Sequence, residues 1–321
     1  MTKPIGGFFE MACGTSSQYH DGAIALNSAR NALRYIIRAH DIHELYVPYY
    51  TCPVVWTAII AEGCNIIPYD IDGAFMPTVD FPDNAFILYN NYFGICGKNV
   101  MELSKKYKNL VVDNAQAFFA SHRALATIYS PRKFFGLPDG GLLYSDKKID
   151  SEFEMAVSYD LCSHLLKRID LGPNAAYADF QKNDFALNNR PIQKMSRLTM
   201  TMMGNLDYDF VRRRRLENFK ILHNALGHLN KLKIDLSDDD VPMVYPFRTD
   251  DATLRARLIE NQIFVAKYWP VETGVACMMG DYAQAMASTI VPLPIDQRYD
   301  TNDMERVIGI IQDESKTTTA G

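Results

Sequence analysis

The chain has 321 residues, a net charge of -5 and 48% hydrophobic residues. Its length is about twice that of a typical domain, so two lobes are expected, and its apolar content is enough for a large core. With 33 basic against 38 acidic residues, a nucleic-acid groove is excluded as its main business, because phosphate backbones need clustered Lys and Arg. The one dense basic run, Arg212, Arg213, Arg214 and Arg215, reads as a solvated helix face. No stretch approaches the ~18 uninterrupted apolar residues of a membrane span. Met1-Thr2-Lys3-Pro4 opens no long apolar run, so no signal peptide is expected. The six cysteines form no CxxC pair and no zinc-binding spacing, so no metal is expected. Scattered thiols suit a reducing compartment, and the cytoplasm is the expected location.

In chain order, apolar positions at helical spacing predict a helix over 28–40 with Ser28 as its cap. Strand 45–47 ends at Pro48, and helix 53–62 stops at Gly63. Strands are expected at 66–69, 85–89, 110–112, 124–129 and 142–144, with a helix at 100–107. Apolar strands alternating with helices predict an α/β fold with a largely parallel sheet. The middle of the chain reads as helical, over 152–168 and 192–229, with a break near Gly204. Met195, Met200, Met202 and Met203 read there as core or subunit contact. Beyond about Pro242 the pattern shifts to strand 244–247, helix 254–260, strand 263–265 and helix 304–311. A large domain over 1–240 and a small α+β domain over 241–321 are expected, with a frayed tail at 315–321.

Open parallel sheets bind ligands at the carboxyl ends of their strands. Strand 110–112 is followed by Asp113-Asn114-Ala115-Gln116, and strand 124–129 by Ser130-Pro131-Arg132-Lys133. The first helix is entered through Asn27-Ser28-Ala29-Arg30. An acid, a lysine and a helix N-terminus then face one crevice. Pyridoxal phosphate (PLP) requires that set: an amine for its aldehyde, a carboxylate for its pyridinium proton, and donors for its phosphate.

These segments resemble the DegT/StrS family of PLP-dependent sugar aminotransferases. The family's Ser-Gly-Thr-x-Ala-Leu helix start is similar to Ser28-Ala29-Arg30-Asn31-Ala32-Leu33. Its Pro-x-x-Thr segment resembles Pro48-Tyr49-Tyr50-Thr51, and its Tyr-x-Gly turn resembles Tyr92-Phe93-Gly94. Its Glu-Asp-x-Ala-Gln element resembles Val112-Asp113-Asn114-Ala115-Gln116, and its lysine segment with a Gly-Gly turn resembles 130–141. The similarity runs over about 20–313.

The resemblance implies a PLP-dependent transferase type I fold, a homodimer and transamination. Lys133 would form the Schiff base and shuttle protons, and Asp113 would pair with the pyridine nitrogen. Gln116 would bond the ring's phenolic oxygen, while Ser28, Ala29, Arg30 and Ser130 would line the phosphate. Asn188 resembles a residue that reaches the neighbouring subunit's cofactor. The donor would be glutamate or a similar amine, and the acceptor a nucleotide-linked keto sugar. Arg248 is a candidate for the donor carboxylate, and Arg190, Lys194 and Arg197 for the acceptor's diphosphate. Cys52 stands where the family places an aromatic residue or His over the ring, so Tyr50 or Trp56 is a candidate to stack there instead. Ile128 stands where the family has a phosphate-binding Ser, five residues before the lysine. Two alternatives on the same scaffold are another PLP reaction, such as sugar dehydration, and a PLP-binding protein without turnover.

Overall fold

The computed structural model describes residues 11, 17–269 and 281–312. Cys13, Cys277 and the tail 315–321 lie outside the described residues. Strand β1 (Ile24–Leu26) leads into helix α1 (Ala29–His40), followed by β2 (Glu44–Pro48), α2 (Pro53–Ile60), β3 (Asn65–Tyr69) and β4 (Ile87–Asn90). Then come α3 (Gly97–Lys106), β5 (Leu110–Asn114), β6 (Ala126–Tyr129) and β7 (Gly141–Ser145). The strands form one seven-stranded sheet in the order β1-β7-β6-β5-β4-β2-β3. β7 pairs antiparallel with both neighbours, and the other pairings are parallel. The mainly parallel sheet expected from the sequence is therefore present.

The central strands are apolar throughout because both faces are covered. Leu88, Val111, Ile128 and Leu143 point to a core shared with Leu33, Ile36 and Ile37 of α1 and with Ile59 of α2. Ile87, Tyr89, Leu110 and Val112 point to the opposite core, with Val100 and Leu103 of α3. The alternation follows the two-residue period of a strand.

The sequence misleads over 152–168. A helix is expected there, but Ala156 donates from its backbone N–H to Lys194 O at 2.9 Å, holding the segment extended. Helix α4 (Ser163–Ala186) starts later and runs further, with a break at Gly172, whose φ of 82° is left-handed, followed by Pro173. The expected helix over 192–229 is two: α5 (Arg197–Met203) and α6 (Tyr208–Leu226). Ser196 and Asp207 cap them, each side chain accepting a backbone N–H of the first turn.

The remaining elements are β8 (Val244–Arg248), α7 (Leu254–Glu260), α8 (Asp281–Thr289), β9 (Ile290–Pro294) and α9 (Thr301–Gln312). The strand expected at 263–265 does not form. β8 pairs instead with β9, antiparallel, with Tyr245 opposite Leu293. Phe219, Leu222 and Leu226 of α6 join Tyr245, Phe247, Leu258, Leu293 and Val307 in one core.

Candidate active site

Strands β1, β2, β5 and β6 deliver their carboxyl ends to one cleft of about 700 Å³. Among the residues lining it are Ser28, Ala29, Arg30, Cys52, Asp113, Ser130 and Lys133. The structure thus brings together seven of the nine positions expected at the cofactor, the other two being Gln116 and Asn188.

Each is placed by local chemistry. Ser28 is the cap of α1, its hydroxyl accepting the Asn31 N–H at 3.2 Å. Strand β7 passes so close that a Cβ on Gly141 would lie 2.4 Å from Ala29 N and 2.2 Å from the Ser28 carbonyl carbon. Gly140, before it, has a φ of 122°, which a residue with a side chain rarely adopts. Gly141→Ala must push the start of α1 outward. The expected loss is about 1–3 kcal/mol of stability, with weaker anion binding, and matched denaturation and phosphate titrations check it.

Asp113 lies near the end of β5 and accepts the Ala115 N–H at 2.8 Å. Burial pushes its carboxyl above the usual range, while the Lys133 ammonium and the Ala115 amide pull it down. Lys133 closes a 3-10 turn, Pro131–Lys133, in which its N–H donates to Ser130 O at 3.1 Å. The carbonyl of Phe134, the next residue, accepts from Gln297 Nε2 at 2.8 Å and from Arg215 Nη2 at 3.5 Å. Asp139 accepts Ser196 Oγ at 2.8 Å and Ser196 N at 3.1 Å, and also bonds Thr199 Oγ1, tying the Gly140 turn to α5.

Two candidates sit elsewhere. Gln116 is 3% exposed and spends its carbonyl on the Phe93 N–H at 2.7 Å, while its Nε2 is buried without a partner. Asn188 is exposed beyond the end of α4. Neither lines the cleft.

The proposed stackers also differ. Tyr50 is fully buried, stacked at 5.5 Å on Tyr92, and Trp56 belongs to the core behind α2. The cleft's aromatic lining is Phe180, Phe264, Tyr268, Trp269 and Tyr299, none of them among the candidate stackers. Arg190 donates to Ala186 O and Val157 O at 3.2 Å each, and Arg248 to Thr289 Oγ1 at 3.2 Å. Those two, with Lys194 and Arg197, lie outside the cleft lining. The cleft's cations are instead Arg30, Arg132, Arg168, Arg215, Arg298 and Arg306, besides Lys133.

Arg215 corrects the reading of the basic run as a solvated face. It is 1% exposed, donates to Met243 O at 2.8 Å and lies 4.4 Å over the Phe134 ring. Burial lowers its pKa to about 10. Its spacing with Val211, Phe219 and Leu222 on α6 was the available sign that it shares the buried stripe.

No protein-family model matches the sequence, and no curated protein matches it. Solved structures do share the fold. A DegT DnrJ EryC1 StrS aminotransferase from Brucella abortus matches with a TM-score of 0.63 at 16% identity, over 91% of this chain and 85% of that one. Sugar aminotransferase CalS13 from Micromonospora echinospora matches at 0.62 and 14%, over 91% and 87%. NtdA from Bacillus subtilis, solved with bound cofactor PMP, matches at 0.65 and 17%, over 90% and 72%. The type I PLP-transferase fold expected from the sequence is the fold found, and the sequence resemblance points to the same group of proteins.

Proposed function

We propose that this chain is a PLP-dependent aminotransferase that moves an amino group from glutamate or a similar donor to a nucleotide-linked keto sugar. The observation that carries this reading is the placing of Lys133 and Asp113, from adjacent strands β6 and β5, in one cleft with the N-terminus of α1. The residues fit the cofactor. Asp113 is a carboxylate whose burial is incompletely offset, and a ring cation would offset it. The Nε atoms of Arg30 and Arg132 are buried without partners beside the helix start. Bound there, PLP supplies an electron sink for a carbanion next to the amino nitrogen. Lys133 would supply the amine for the aldehyde and a base for moving a proton. Asp113 would hold the proton on the ring nitrogen. Tyr268 and Trp269 line the same cleft.

The sugar acceptor is suggested by the sugar aminotransferases that share this fold and by the cleft's cations, which suit a diphosphate. With glutamate as donor, amination of a nucleotide-linked keto sugar should exceed that of pyruvate or oxaloacetate by about 10²-fold in kcat/KM. Fast amination of either keto acid, with none across a panel of nucleotide-linked sugars, would overturn the acceptor.

We also read the protein as a cytoplasmic homodimer. The described cysteines are free, which suits a reducing compartment, and no described helix is long and apolar enough to cross a membrane. Met195 and Met203 are fully buried in the chain's own core, while Met200 and Met202 are half-buried. Exposed apolar side chains cluster on α4, where Leu166, Ile169, Leu171, Tyr177 and Phe185 are 59–81% exposed. Asn188 follows that helix, a position suited to reaching a partner's cleft. Light scattering should give a particle of two chains, and Ile169→Glu with Phe185→Glu should weaken it by about 10³-fold in Kd. A wild-type monomer that holds the cofactor fully would refute the dimer.

A further inference from the structure

At the cleft's anion-binding end, two arginines converge on one carboxylate. Arg132 Nη1 lies 3.3 Å from Asp184 Oδ1, and Arg30 Nη2 lies 3.7 Å from Asp184 Oδ2. Both arginine side chains are only 15% exposed, whereas Asp184, near the end of α4, is 44% exposed. Charge-assisted pairs close to about 2.7–2.9 Å when well formed, so Asp184 satisfies neither arginine well. The Nε of each arginine is buried with no hydrogen-bond partner. Both cations pair with the single carboxylate of Asp184. Burial depresses the Arg132 guanidinium, Asp184 supports it, Arg30 opposes it, and Asp139, whose carboxylate is bonded to Ser196 and Thr199, supports it least. Arg30 also sits in the first turn of α1, where the amides of Ala29 and Arg30 have no intrahelical acceptor.

We propose that Arg132 and Arg30 form a two-arginine site for a phosphate monoester dianion, and that Asp184 is an internal competitor which the ligand displaces. This rests on the reading that the cleft takes a phosphorylated cofactor, and it assigns to that cofactor's phosphate two contacts and a rival. A dianion brings more acceptor oxygens than a carboxylate and neutralises both guanidinium groups. Its arrival frees the end of α4, the helix that also places Arg168 and Phe180 in the cleft. Affinity is thus set partly by how strongly α4 holds Asp184 in place.

Isothermal titration calorimetry at low ionic strength tests this, with inorganic phosphate, PLP and pyridoxal as separate probes. Asp184→Asn should tighten phosphate and PLP binding by about tenfold, and Arg132→Gln should weaken both by about tenfold. Pyridoxal, which lacks the phosphate, should respond to neither. A gain of affinity in Asp184→Asn cannot come from misfolding, so that variant keeps the test decisive if Arg132→Gln folds poorly. No phosphate binding by the wild type, or an Asp184→Asn affinity equal to or weaker than wild type, overturns the proposal. Covalent PLP attachment at Lys133 with phosphate affinity insensitive to both changes removes this site and leaves the cofactor reading. Phosphate binding that responds as stated, in a protein that never attaches PLP, supports this site and removes the cofactor reading.

Discussion

Asp113→Asn should lower turnover by about 10²–10³-fold, the usual size for losing one preorganised electrostatic contact, while making the cofactor-free protein more stable at neutral pH. Both effects come from one carboxylate held in a poor place for a charge. In the cofactor-free protein burial is the largest influence on Asp113 and raises its pKa, with Lys133 and the Ala115 amide acting against it. The sign of the linkage follows. A folded pKa above the unfolded value means the residue's contribution to stability is fully present below the unfolded pKa, near ~4, and is lost as pH rises through the folded one. An Asn amide accepts the same Ala115 N–H and does not ionise. The variant's melting temperature should therefore exceed the parent's above the ordinary carboxylate range, and the gap should close below it. Adding PLP should reverse the order, because only the carboxylate pairs with a ring cation. Thermal melts against pH, with and without PLP, measure both halves. Equal melting curves at neutral pH together with near wild-type turnover would make Asp113 a strand-end residue with no role in the cleft.

Arg215→Ala should cost about 3–5 kcal/mol of stability, the upper range for a single change. The truncation leaves Met243 O without its donor and Phe134 O with Gln297 alone, takes the guanidinium off the Phe134 ring and opens a void. Arg215→Lys should rescue little, since one ammonium cannot reproduce a planar fork that reaches two carbonyls and stacks on a ring. Arg215→Met fills much of the volume and should recover part of the loss, which separates packing from the lost hydrogen bonds. Because Phe134 follows Lys133, the surviving folded fraction should also bind PLP less tightly. Urea midpoints for the three variants give the ranking, and an Ala variant within about 1 kcal/mol of the parent would show that Arg215 is not a strut of the lysine turn.

Much of this architecture was legible because the strong signals are local. Ser28 before an apolar stripe, a Pro at each end of the 48–53 turn and unbroken apolar strands specify α1, α2 and the central sheet without reference to distant residues. What failed depends on contacts far along the chain. Residues 152–158 have helical spacing, yet 156 is held by the backbone of 194. Strand β9 was hidden by Pro292 and Pro294, residues tolerated because β9 has only β8 as a partner. In the cleft, Lys133, Asp113 and the helix start were readable as strand-end residues. Tyr268, Trp269, Arg168, Asp184 and Arg298 were not, since each arrives from an element whose docking only the tertiary fold determines. Arg132, next to the lysine, was within reach of the same strand-end argument and was passed over.

Lys133 should carry the cofactor, and one chemical trapping tests this. The purified protein is incubated with PLP, reduced with sodium borohydride, digested and mapped by mass spectrometry, with Lys133→Ala treated in parallel. The account requires the pyridoxyl mass on the peptide containing Lys133, near one label per chain, and no label at stoichiometric level in the Ala variant. A label on Lys98, Lys167 or another surface lysine, or equal labelling of the Ala variant, would contradict it.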